Sequence, residues 1–105
     1  MERKIAAVGD KDTVLALKAV GCDVVVATGA EDIKKAILDL EKKSYSLIFI
    51  PEIEAIKVEA FLRTFDAKPY PVILSIPDGR ESGGFAVAKL TQNMLRAIGS
   101  SAALK

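Results

Sequence analysis

Lys4-Ile5-Ala6-Ala7-Val8-Gly9-Asp10-Lys11-Asp12-Thr13-Val14 decides how this chain folds. A short apolar run, Ile5 to Val8, stops at Gly9, and an Asp-rich turn leads straight into a helical pattern. That is the opening of a β-α unit, and α/β proteins place their ligands at such strand ends, outside the carboxyl edge of the sheet. Three further apolar runs follow at similar spacing: Val24 to Ala27, Leu47 to Ile50 and Val72 to Ile76. All are continuous rather than alternating, which predicts strands buried on both faces, as in a parallel sheet.

Helical patterns fill the gaps. The first carries Val14, Leu15, Leu17 and Lys18 and stops at Gly21, a candidate C′ glycine. The second opens with Thr28 and Glu31 at capping-box spacing. Glu31 and Asp32 near its start and Lys42 and Lys43 near its end match the helix dipole, and Ile33, Ala36, Ile37 and Leu40 form its apolar stripe. The third, from about Ile53 to Phe65, offers Ile56, Ala60, Phe61 and Phe65 before Pro69 and Pro71 intervene. The expected fold is α/β: a four-stranded parallel sheet flanked by helices, with flavodoxin- or receiver-like β-α repeats and spatial order 2-1-3-4.

The chain divides into an α/β core over residues 1–77, a linker over 78–84, and a C-terminal helix and tail over 85–105. Pro77-Asp78-Gly79-Arg80-Glu81-Ser82-Gly83-Gly84 holds three of the seven glycines, so the linker backbone is loosely determined by its sequence. Beyond it, Phe85, Val87, Leu90, Met94, Leu95 and Ile98 cover more than one narrow helical stripe. Two readings stay open: the helix simply covers the sheet, or one face touches the sheet and another a partner.

Composition narrows the function. Half of the 105 residues are hydrophobic and 28% are charged, as in a folded domain. A net charge of +1 disfavours nucleic acid as the main partner. No apolar run approaches the ~20 residues that span a bilayer, so direct membrane insertion is not expected. The N-terminal residues lack a signal-peptide layout and Cys22 is the single cysteine, which fits a cytoplasmic setting. There is no histidine, which removes the commonest general base and the Ser-His and Cys-His nucleophile pairs.

Asp10 and Asp12 are the only acidic pair on a predicted carboxyl edge. Their functional reading is a magnesium or small-ligand site, as in phosphoacceptor receiver domains. Such domains also need an acceptor aspartate at the end of the third strand, and this chain has Ile50-Pro51-Glu52 there. Capping of the first helix by one aspartate is the stronger reading. Neither Gly9 to Thr13 nor Gly79 to Gly84 has the spacing of a nucleotide-binding loop. Cys22 reads as an inert, semi-buried thiol. Glu52, Glu54, Lys57 and Glu59 read as a solvated helix face. We therefore expect no catalytic, cofactor-binding or metal-ligating residues.

Lys4 to Val14, Gly21, Tyr45-Ser46-Leu47-Ile48-Phe49-Ile50, Pro71-Val72-Ile73-Leu74-Ser75-Ile76-Pro77 and Ala97-Ile98-Gly99 together resemble the F subunit of the prokaryotic V-type and A-type rotary ATPases, nearly over the whole length. The resemblance implies a non-catalytic central-stalk (rotor) component that sits on the D subunit, the coiled-coil shaft. ATP handling would belong to the separate A and B subunits, and contact with the membrane rotor would be indirect. It also implies that the C-terminal segment runs along the shaft, with Phe85, Leu90, Met94, Leu95 and Ile98 as candidate partner-binding residues. The chain would then be cytoplasmic and peripheral to the membrane, helping couple ATP hydrolysis or synthesis to proton or sodium transport.

Overall fold

The computed structural model describes residues 4–77 and 89–97. Along the chain run β1 (Lys4–Gly9), α1 (Lys11–Lys18), β2 (Asp23–Val26), α2 (Ala30–Lys42), β3 (Tyr45–Pro51), α3 (Glu52–Lys57), α4 (Glu59–Arg63) and β4 (Val72–Ile76). A helix over 89–97, α5, follows. The strands form one parallel sheet in the order β2-β1-β3-β4, as the β-α rhythm predicts. The linker over 78–84, together with Phe85 and Ile98, lies outside the described residues.

Side-chain alternation along the strands builds two cores. Ala6 and Val8 of β1, with Ile48 and Ile50 of β3, pack under α2, α3 and α4 against Ile33, Ile37, Leu40, Ala55 and Val58. Ala7, Leu47 and Phe49 point the other way, meeting Val14, Leu17, Cys22 and Ile76. The small Ala6 and Ala7 are fully buried, which lets helices close on β1 from both sides. Burial on both faces is complete only along the central strands, from Ala6 to Gly9 and from Leu47 to Pro51. At the edges, Val26 is 61% exposed and Val72 43%.

Three local expectations change. Thr28 and Glu31 form no capping box: Gly29 is the N-cap of α2, with φ 85° and no side-chain cap bond. That backbone angle is available to glycine at little cost and starts the helix one residue later, while Glu31 faces Lys34 at 3.7 Å instead. The third helix is two, broken at Val58 (φ −126°, ψ 28°). The break resets the helical phase, so Val58 and Phe65 are buried, Phe61 and Leu62 are partly buried, and Ile56 and Ala60 face out. Leu15 of α1 is likewise exposed, since the stripe that reaches the sheet is Thr13, Val14 and Leu17.

At Gly21 the chain behaves as read. The N–H groups of Gly21 and Cys22 donate to the carbonyls of Lys18 and Leu17, the paired bonds of a Schellman stop, with Gly21 at φ 101°.

Candidate functional site

The carboxyl edge is where β1 and β3 end and the chain crosses to opposite faces. Gly9 is required there by contact: a Cβ on it would lie 2.7 Å from Pro51 Cδ and 2.8 Å from Pro51 Cγ. The Gly9 carbonyl also accepts from the Ala27 N–H at 2.9 Å, tying the ends of β1 and β2. Pro51 thus fills the crevice between the central strands, the place where doubly wound folds usually leave room for a ligand.

Asp10 is the N-cap of α1. Its Oδ2 accepts from the Thr13 N–H at 3.1 Å, and the residue is buried. Asp12 sits in the first turn and is exposed, where its charge favours the helix N-terminus. The two carboxylates diverge: one is tied to a backbone N–H, the other is in solvent. No group of three or more acidic, cysteine or histidine side chains suited to a metal occurs among the described residues. Asp10 Oδ1 is nonetheless buried without a hydrogen-bond partner among the described residues.

Beyond β3 the structure departs from the sequence reading. Glu54 is buried, not solvated, and the half-exposed Lys57 donates to its two carboxylate oxygens at 3.2 and 3.4 Å. Glu54 and Ala55 are the buried positions of α3, a placement set by how that short helix lies on the sheet. Cys22 is buried and its thiol is pushed up to about 11, first by burial and then by the neighbouring Asp23 carboxylate. It is therefore protonated and a poor nucleophile at neutral pH. On the opposite edge, the Tyr45 hydroxyl donates to Asp23 Oδ2 at 2.7 Å, which raises the phenol above its ordinary value.

The C-terminal helix lies on the same face as α1. Met94 and Leu95 are half-buried against the core of Ala7, Leu17, Phe49 and Ile76. Thr91 is fully buried and was not foreseen, although its spacing from Met94 and Leu95 places all three on one helical face. Leu90 lies off that stripe and is 40% exposed. The described candidates thus separate into a sheet-facing pair, Met94 and Leu95, and an outward residue, Leu90.

These features define a small doubly wound α/β domain whose ligand edge is occupied by a helix cap and a proline, and whose last helix is half-committed to the sheet. Residues 5–94 match the family model described as ATP synthase (F/14-kDa) subunit. Over 99 residues the chain is 33% identical to the F subunit of the V-type ATP synthase of Clostridium botulinum (strain Eklund 17B / Type B), covering 94% of this chain and 96% of that one. The protein of the same name in Fusobacterium nucleatum subsp. nucleatum is 33% identical over 97 residues, 92% of each chain. The F subunit of the A-type ATP synthase of Thermococcus gammatolerans is 34% identical over 102 residues, 91% of this chain and 94% of that one. The chain belongs to the family of ATP synthase F subunits.

Proposed function

We propose that this chain is a non-catalytic central-stalk component of a V-type or A-type rotary ATPase, seated through its C-terminal helix on the coiled-coil shaft, the D subunit. Family membership supports a place in that multi-subunit complex. The observation that carries the shaft contact is the division of α5: Thr91, Met94 and Leu95 meet the sheet while Leu90 faces out. Leu90 is available to a partner with the helix docked. Met94 and Leu95 become available when the helix exchanges the sheet for the shaft, and Phe85 and Ile98 complete the proposed contact. A stalk part works through packing rather than bond chemistry, which accords with an inert thiol and an aspartate held as a cap. Its place is cytoplasmic and peripheral to the membrane, and no helix among the described residues is long and apolar enough to cross one.

The test is co-purification with the shaft protein. The full chain should form a stoichiometric complex, and Leu90→Asp should weaken it about tenfold or more while melting within a few degrees of the parent. A Leu90→Asp chain that binds the shaft as tightly as the parent would move the contact elsewhere.

A further inference from the structure

A second surface lies on the other face of the sheet, along the outer flank of β4. One cavity of about 440 Å³ is bounded by Ala55, Ile56 and Leu62 with Glu52, Glu59 and Asp66 at its rim. An adjoining cavity of about 340 Å³ continues it past Phe65, Pro71 and Val72, the two sharing Leu62, Asp66 and Ser75. The floor is apolar and open. Ile56 is 73% exposed, more than any other large hydrophobic residue among those described.

The charge around this groove is mixed, but the part left unpaired is acidic. Its two cations are already engaged, Arg63 with Glu59 and Lys68 with Glu41. The carboxylates of Glu52 and Asp66 have no ion pair or hydrogen bond within the described residues. An apolar floor flanked by two uncompensated carboxylates is complementary to an apolar segment flanked by lysine or arginine. Pro71 and Pro77 bracket the five-residue β4, which guards that edge against an added strand and favours a helix as the occupant.

We propose that this groove docks a helix of a neighbouring protein in the complex, with apolar anchors over Ala55, Ile56 and Leu62 and basic residues facing Glu52 and Asp66. Leu62 and Phe65 belong to the core under α2, α3 and α4, whereas α5 packs on the α1 face. The docked helix is therefore a different one from that which α5 meets. The proposal rests on the chain working inside an assembly, but not on what α5 contacts.

The experiment places p-benzoylphenylalanine at Ile56 of the full chain in the assembled complex, with irradiation and mapping of the adduct. The expected adduct is on a helix of another protein of the complex, with lysine or arginine beside the attachment point. Glu52→Lys with Asp66→Lys should cut the yield about tenfold, and Glu52→Gln with Asp66→Asn should cut it less. All of these are exposed rim substitutions, and unchanged melting of the complex confirms that folding is retained. No adduct, an adduct on a second copy of this chain, an adduct on a segment without basic residues, or a yield indifferent to both double variants would overturn the proposal. Because the Leu90→Asp variant does not touch this face, its shaft binding and the Ile56 adduct succeed or fail separately.

Discussion

One oxygen of the Asp10 carboxylate caps α1, and the other is buried with no hydrogen-bond partner among the described residues. The cap is the stabilising half, so Asp10→Ala should cost about 0.5–2 kcal/mol in chemical denaturation. Asp10→Ser keeps a capping oxygen and removes the idle one, so it should cost less than alanine does; equal losses would show that Oδ1 matters. Cys22 gives a pH signature. Its thiol is raised from 9.0 to about 11, so the folded state holds that proton more tightly than the unfolded chain does. The resulting stability is fully present below about pH 9 and is lost as pH climbs toward 11. Melting temperatures of the parent should fall more steeply across that range than those of Cys22→Ala. Parallel curves would mean the thiol is not held protonated by burial.

Among the elements, α5 offers the sharpest mutation. Thr91 is fully buried with no partner for its hydroxyl among the described residues, while valine has the same branched shape. Thr91→Val should stabilise the protein by about 1–2 kcal/mol. Since it favours the docked helix, it should also weaken shaft binding wherever binding needs Met94 and Leu95 released. A higher melting temperature with unchanged shaft affinity would show that the helix binds without leaving the sheet. The strands were legible as continuous apolar runs, which suit a parallel sheet, and their order followed by analogy with doubly wound folds. Asp10 as a cap and Gly21 as a stop were legible because both act over three to five residues. What the sequence hid depends on distant contacts. The break at Val58 follows packing rather than propensity, and Glu54 carries the same local charge pattern as its exposed neighbours. The groove needs α3, α4 and β4 together, so no single segment announces it.

For the molecule as a whole, the two proposed contacts fall on opposite faces of one sheet. The α1 face carries α5, and the α2–α4 face carries the acid-rimmed groove. A rigid parallel core between them suits a part that holds two neighbours in fixed relation, because closely packed interiors transmit strain rather than absorb it. The claim at the centre is that α5 holds the shaft. Removing the chain after Ser82 should leave a folded core, destabilised by about 1–3 kcal/mol through loss of the Thr91, Met94 and Leu95 contacts. The decisive measurement is the dissociation constant of that truncated chain for the purified shaft protein, set beside the full chain at the same temperature and salt. Binding at least tenfold weaker, with the core still folded, is the result expected; a truncated core that binds the shaft as tightly as the full chain would contradict the account and make α5 only a cover for the sheet.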